Sequence, residues 1–446
     1  MAQGNSEPGL EELKGRVADA LSLARRLGAS QAEASASFGS GLSVSVRMRS
    51  VETLEYQRDQ GLGITVYFGQ RKGAASTSDL GAQAIEESVR KACSLARYTA
   101  EDPCAGLADA ARLAQDIPDL DLWHPWSLDA PAAIELATTC EAEALAADSR
   151  VTNSEGAAVS SHDGGRAYGN SHGFLHGYRD THYSLSCAVL AGRAGQMERD
   201  FEFTTARDPA DLESAIRVGR EAARRAVARL DAVKLDTRSA SVLYPARLAR
   251  GLLGHLIGAI SGGAQYRRAS FLLDSIGTPV LARCVSIDER PHLAKGLASA
   301  PYDDEGVATT DRRLVDQGVL QGYVLGSYSA RKLGLSSTGN AGGVHNLVVA
   351  DTGIDFEGLL AAMGTGLLVT ELMGSGVNPV TGDYSRGATG FWVENGAISY
   401  PVSEITIAGN LREMYQGIQA VGTDVDVRGG IRSGSILVRE MTIAGN

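Results

Sequence analysis

The apolar residues of this chain change period along its length, and that change restricts it to folds that mix helices with sheets. Leu10, Leu13, Val17, Leu21 and Ala24 recur at helical spacing and stop before Gly28, a residue type that commonly ends helices in the left-handed conformation. Beyond it, Leu42, Val44, Val46 and Met48 alternate with polar or small residues, as do Leu62, Ile64, Val66 and Phe68. Such alternation predicts strands with one buried face. Ser78 or Asp79 is placed to cap a helix whose apolar face is Ile85, Val89, Ala92, Cys93 and Ala96. Residues 1–100 therefore read helix, strands, helix.

Pro103, Pro118 and Pro125 break any regular pattern between Glu101 and Ser127, which predicts a connection crossing the surface. The order then returns over residues 128–235. A helix from Pro131 to Ala147 precedes a glycine-rich β region with alternation at Tyr183, Leu185, Cys187 and Val189. Asp208-Pro209 offers an N-cap and a first-turn proline for a helix through Leu212, Ile216, Ala223 and Leu230. The shared element order suggests duplicated units. A boundary near Asp236-Thr237-Arg238 separates this N-terminal domain, 1–235, from a larger one, 236–446, of glycine-punctuated short strands. Helical interludes are expected there near Ala246 to Ile260, Phe356 to Met363 and Asn410 to Gln419. Thr-Ile-Ala-Gly-Asn occurs at Thr406 to Asn410 and again at Thr442 to Asn446, as two strands of one sheet would explain. The fold class is α+β in two domains: N-terminal helices with antiparallel strands, and a C-terminal β-rich domain surrounded by helices.

Forty-two Lys and Arg against 53 Asp and Glu, with no long basic run, give little free energy for neutralising phosphates. Nucleic acid and anionic membrane surfaces are poor partners. No stretch of about 18 apolar residues exists, and the start lacks a basic and an apolar leader region, so a cytoplasmic protein is expected. The five cysteines are odd in number and widely spaced, which fits reduced thiols rather than a disulfide framework or a metal knuckle.

Three constellations bear on chemistry. Gly169-Asn170-Ser171-His172-Gly173 spells a G-x-S-x-G pattern, but a nucleophile elbow needs a strand before it and a helix after it, and a strand follows here. His172, His176 and His182 place three imidazoles within eleven residues, with glycines at 173 and 177 that weaken a helix and no Glu placed as a base. The most informative stretch is Gly254-His255-Leu256-Ile257-Gly258-Ala259-Ile260-Ser261-Gly262-Gly263, a single histidine in an apolar helix. Hydrolysis at zinc needs further ligands on one face and a carboxylate to take a proton from bound water. Leu256 and Ile260 have no atom that does either.

These residues carry a resemblance. With Tyr328-Ser329-Ala330-Arg331-Lys332-Leu333-Gly334-Leu335, Gly364-Thr365-Gly366-Leu367-Leu368-Val369-Thr370-Glu371-Leu372, Gly382-Asp383-Tyr384-Ser385-Arg386-Gly387, Phe391-Trp392-Val393-Glu394-Asn395-Gly396 and Pro401 to Asn410, the chain resembles the TldD/PmbA metalloprotease family, in its PmbA (TldE) branch. The TldD branch carries a zinc motif HExxxH; laid over this chain, its first His falls on His255, its Glu on Leu256 and its second His on Ile260. A cysteine ligand of TldD-type chains falls on Ser433, and a neutral hydroxyl is a poor replacement for a thiolate.

The resemblance implies a subunit without a catalytic residue or metal of its own. A TldD-like, zinc-bearing partner would form the heterodimeric protease, acting on unfolded or leader peptides in peptide-antibiotic maturation and antitoxin degradation. Asp383, Tyr384, Ser385 and Arg386 are the candidate peptide or partner contacts, and Glu371 and Glu394 are candidate internal hydrogen-bond acceptors. A second reading is a self-assembling peptide-binding protein without protease activity, a homodimer when alone. A third is an independent hydrolase using Ser171 or the His172, His176 and His182 group.

Overall fold

The computed structural model describes residues 9–193 and 195–445; the residues on which the expectation about a leader rests, 1–8, and Asn446 of the second Thr-Ile-Ala-Gly-Asn lie outside the described residues. Helix α1 (Leu10–Arg26) buries Leu13, Val17, Ala20 and Ala24 and gives way at Gly28, whose φ of +90° suits glycine. Strands β1 (Gln31–Arg47), β2 (Ser50–Phe68) and β3 (Arg71–Thr77) follow, then α2 (Ala82–Tyr98). The same order returns in α3 (Ala130–Ala147), β4 (Val151–Asn170), β5 (Leu175–Arg193), β6 (Gln196–Ala206) and α4 (Ala215–Ala228). The strands form one antiparallel sheet ordered β3-β2-β1-β4-β5-β6. The two units meet at the centre of the sheet, where β1 lies antiparallel to β4.

Alternation assigns the faces of this sheet. Leu42, Val44 and Val46 of β1, Val159 of β4 and Leu185, Cys187 and Val189 of β5 bury against α3 and α4. Ala32, Ala34 and Ala36 of β1 and Leu62, Ile64 and Val66 of β2 bury against α1 and α2. Each buried Val, Leu or Ile contributes about 1.5–3 kcal/mol. The other parity, with Ser35 and Ser37 on β1, His162 and Arg166 on β4 and Tyr178 on β5, lies on the face the helices leave open.

The C-terminal part contains β7 (Arg238–Tyr244), α5 (Ala246–Ile260), α6 (Gly262–Tyr266), β8 (Ile287–Glu289), β9 (Arg312–Asp316), β10 (Val319–Leu320), α7 (Ser327–Leu333), β11 (Leu347–Val349) and α8 (Phe356–Met363). It continues with β12 (Gly366–Met373), β13 (Asp383–Glu394), β14 (Ala397–Asn410), α9 (Leu411–Gln416), β15 (Ile418–Val421), β16 (Ile431–Arg432) and β17 (Ile436–Ala444). One sheet runs β14-β13-β12-β7-β17-β15, and a further β14–β17 pairing closes five of its strands into a ring. That pairing joins the two repeats directly, with Thr406 opposite Ala444, Ile407 opposite Ile443 and Ala408 opposite Thr442. A smaller sheet, β10-β9-β8-β11-β16, packs into the same core. The α+β class is the observed one.

Four local expectations differ from what is observed. Neither Ser78 nor Asp79 caps α2: the Asp79 carboxylate accepts from the Gly81 N–H at 2.7 Å, and the helix begins after Gly81. Asp208-Pro209 starts a single 3₁₀ turn, Pro209–Asp211, while Ser214 caps α4 by accepting from the Arg217 N–H. Met48 sits in the β1–β2 turn, half exposed at φ +48°, rather than on the buried face. The helix expected from Asn410 to Gln419 stops at Gln416, and Gln419 belongs to β15.

The proline-broken connection does more than cross the surface. Leu107, Ala108, Leu113, Leu120 and Leu122 are buried, and Arg331 of α7 donates to the carbonyls of Cys104 and Gly106 at 3.2 and 3.0 Å. Ion pairs add to this joint. Arg428 reaches Glu202 of β6 at 2.6 Å, and Arg229 reaches Glu371 of β12 at 2.6 Å.

Candidate functional site

Helix α5 starts directly after β7, where the Ala246 N–H donates to the Ser435 hydroxyl at 3.0 Å. Leu252, Leu253, Leu256, Ala259 and Ile260 share its buried side, and Gly251, Gly254 and Gly258 lie exposed on the other. Leu256 and Ile260 are both 0% exposed, one helical turn apart, so the positions of the motif's Glu and second His belong to the hydrophobic core. His255 lies at the edge of that stripe. Burial and then the Arg386 charge lower its imidazole below the ordinary value of 6.5, so it is neutral at pH 7.

Strand β13 explains which of its polar residues reach His255. Its alternation exposes Asp383 and Ser385, and turns Tyr384 and Arg386 inward. The Tyr384 ring meets His255 edge-on at 6.0 Å. Arg386 donates to the Leu372 carbonyl at 3.4 Å, and its Nε is buried without a partner. Asp383 faces away, accepting from the Thr381 hydroxyl at 2.6 Å and from the Asn410 amide at 3.2 Å, which ties the turn into α9. The segment therefore splits: His255, Tyr384 and Arg386 come together, while Asp383 and Ser385 do not join them.

Ser433 is 1% exposed and donates to the Gly434 carbonyl at 2.9 Å. A Cβ on Gly434 would overlap the Gly422 carbonyl oxygen, so glycine is required where these segments cross. Tested against zinc, the four motif positions offer one imidazole, two hydrocarbons and a hydroxyl already donating to backbone. Leu256 and Ile260 supply no ligand atom, so these residues do not fit the metal. Among the described residues, no group of three or more His, Cys, Asp or Glu side chains stands close enough to hold a metal ion.

The other constellations have structural places. Gly169 to Gly173 spans the end of β4 and the start of the turn into β5, where the Ser171 hydroxyl accepts from the Ala32 N–H at 3.1 Å, in strand–turn–strand context rather than an elbow. His176 and His182 both lie on β5, opposite Tyr168 and His162, and six residues of strand hold them about 20 Å apart. His182 bonds the Thr205 hydroxyl at 2.8 Å, and the His176 ring packs on Phe174 at 4.8 Å. Glu371 serves the ion pair with Arg229, and Glu394 accepts from the Ser399 hydroxyl at 3.1 Å.

One site escaped the sequence reading. On the open face of the N-terminal sheet lies a cavity of about 730 Å³, with Arg166, Tyr178 and Tyr302 on its wall. Arg166 stands directly opposite Tyr178 in the β4–β5 register. Strand parity would have put these two on one face; nothing local announces that Tyr302, more than a hundred residues away, joins them.

Comparison with known proteins places the whole chain. Its residues 32–96, 123–230 and 237–445 match the models of domain 1, the central domain and the C-terminal domain of the PmbA/TldA metallopeptidases. It is 54% identical to the metalloprotease PmbA of Escherichia coli O157:H7, covering 93% of this chain and 92% of that relative. It is 51% identical to a PmbA homolog of Haemophilus influenzae, covering 98% and 97%. A crystal structure from Bacteroides thetaiotaomicron, described as a candidate modulator of DNA gyrase, superposes with a TM-score of 0.92 at 28% identity, covering 98% of this chain and 99% of that one. The chain therefore belongs to the PmbA/TldD metalloprotease family, in its PmbA (TldE) branch.

Proposed function

We propose that this chain is the non-catalytic subunit of a heterodimeric zinc protease, and that a TldD-like partner supplies the metal and the base. The observation that carries this reading is the complete burial of Leu256 and Ile260 in the core, where the motif's Glu and second His would stand. The assembled enzyme cleaves unfolded or leader peptides, and this chain's part is to hold the partner and the peptide. The work is cytoplasmic; among the described residues no helix is long and apolar enough to cross a membrane.

A docking edge supports the partnership. Strand β3 pairs with β2 only from Leu62 to Phe68, so Ser50 to Gly61 presents one unpaired edge, with Val51, Leu54 and Tyr56 exposed. Exposed edges of this length are usually blunted or covered. The same edge also favours the second reading, a self-assembling peptide-binding protein, because a second copy could pair there. Reconstitution separates them. Peptide cleavage should be absent from the purified chain and appear on adding a TldD-like chain with an intact motif; chelator-sensitive cleavage by the chain alone would overturn the proposal.

A further inference from the structure

The open face of the N-terminal sheet carries more carboxylates than cations. Its cavity of about 730 Å³ adjoins a second of about 490 Å³ over β1, β2 and β3, and because the two share Ser35, Tyr168 and Asp304 they form one trench. Asp59, Asp180, Asp303 and Asp304 line the first part, and Glu33 and Glu305 join Asp304 in the second. The basic side chains on the wall are Arg166 and His162. Part of the negative charge is answered within the chain: Asp180 pairs with Arg207 at 3.0 Å, Asp303 accepts from the Glu305, Val307 and Ala341 N–H groups at 2.9 Å each, and Glu33 accepts from the Tyr168 and Tyr67 hydroxyls at 2.8 and 3.0 Å. Asp59 of β2 and Asp304 of the C-terminal part are exposed. Among the described residues neither carboxylate has a hydrogen-bond or ion-pair partner. Gly342 leaves room for the Asp304 carboxylate, which a Cβ there would overlap. Arg166, its guanidinium 5.4 Å from the centroid of the Tyr178 ring, offsets one negative charge and leaves the rest.

Two further observations point to a cation from outside. Tyr302 is 4% exposed on the wall of the larger cavity, and its hydroxyl is buried without a partner, a costly state that an incoming N–H relieves. Burial raises the Glu33 carboxyl above its ordinary 4.5 in spite of the hydrogen bonds from Tyr168 and Tyr67, and the Glu305 charge adds to the rise while Lys72 opposes it. Carboxylates here crowd one another. An incoming carboxylate or phosphate meets that excess and is repelled, whereas a guanidinium or ammonium is attracted and has acceptors in Asp59, Asp304 and the Tyr302 hydroxyl. The trench is long enough for a chain. From β3 to β5 it crosses the sheet order β3-β2-β1-β4-β5, four gaps of about 4.8 Å or roughly 19 Å, the reach of five or six extended residues.

We propose that this trench binds an extended peptide through one of its positively charged groups, a guanidinium or an ammonium held between Asp59 and Asp304 with the Tyr302 hydroxyl accepting from it. This rests on the peptide-handling role proposed above and adds which peptide charge this chain selects.

Fluorescence anisotropy on the full chain tests it, using Gly-Ser-Ala decapeptides with a neutral label at the C-terminus. Three are N-acetylated and carry a central Arg, its uncharged isostere citrulline, or Glu; a fourth carries citrulline and a free N-terminal amine. The Arg peptide, the free-amine peptide or both should bind at least about tenfold more tightly than the acetylated citrulline peptide, and whichever does so names the source of the charge. Asp59→Asn with Asp304→Asn should abolish that preference. The chain's net charge of −11 attracts any cationic peptide weakly, so Glu86→Gln with Glu87→Gln, which removes as much charge from α2 on the helix-covered side, should leave the preference in place. Arg166→Gln removes the competing cation and should tighten Arg-peptide binding by about threefold or more. Circular dichroism checks the fold of each variant. Equal binding of all four peptides, tightest binding of the Glu peptide, retention of the preference in the Asp59 and Asp304 variant, its loss in the α2 variant, or weaker binding in Arg166→Gln would overturn the site. Partner-dependent cleavage assayed on the same preparations keeps the two ideas apart. Cleavage without a charge preference removes only the site; a charge preference without cleavage keeps the site and removes the subunit reading.

Discussion

Helix α5 and the open face of the N-terminal sheet treat polar side chains in opposite ways. On α5 the positions where the family's metal chemistry would sit are hydrocarbon and sealed, with Leu256 and Ile260 both 0% exposed. On the sheet, Arg166 and the Tyr302 hydroxyl lack partners beside a cavity. On α5 the motif positions are filled by packing alone; on the sheet, polar groups are left without partners. The motif positions and the open sheet face thus differ in how far their side chains are satisfied within the chain.

The strongest way to break this contrast is to rebuild the motif. Leu256→Glu with Ile260→His puts a carboxylate and an imidazole into a packed core, and we expect a loss of about 4 kcal/mol or more, read as a drop in the thermal midpoint. A folded double variant that retained its stability and took up zinc would erase the distinction between the two regions.

A smaller loss is expected at the joint between them. Arg428→Ala leaves Asp426, 8% exposed at its side chain, without its cation, while Glu202 keeps Arg225 at 2.9 Å, and should cost about 2 kcal/mol in urea denaturation. A neutral result would mean that the Arg428 pairs do not help to hold the two parts together.

Beside the cavity, burial raises the Asp303 carboxyl from 3.8 to about 6, although three backbone N–H groups donate to it. A raised folded value means the native state holds the proton more tightly. Stability should therefore fall as pH rises from about 4 to 6, by on the order of 1–3 kcal/mol, and Asp303→Asn should flatten that slope. His255 has the opposite sign. Its imidazole, lowered by burial, should titrate in NMR below 6.5, and its protonation should cost stability as pH falls through that range.

The smallest effect sharpens the contrast most. Arg166→Ala should leave the thermal midpoint almost unchanged, within about 0.5 kcal/mol, because no carboxylate among the described residues pairs with it. A large loss would make Arg166 a structural residue.

How much of this was readable beforehand depends on the range of the interactions. The periods of Leu13 to Ala24, Leu42 to Val46 and Ile85 to Ala96 gave helices and strands where they occur, because a one-sided element buries one stripe whatever it packs against. Element ends were less legible. Asp79 and Asp208 satisfy local N–H groups in turns and leave the helix starts to Gly81 and Ser214, a competition between neighbours that residue type does not decide. The grouping of His255 with Tyr384 and Arg386, and of Arg166 with Tyr302, depends on which strand lies beside which element. The loss of metal ligands at Leu256 and Ile260, by contrast, needs only the side-chain chemistry.

On the reading proposed above, no metal-dependent activity resides on α5. Zinc content measured on the chain alone and on the chain co-purified with a TldD-like partner tests it most directly. The expected result is no stoichiometric zinc in the first preparation and about one equivalent per heterodimer in the second. One tightly held zinc per isolated chain, lost on His255→Ala, would contradict it.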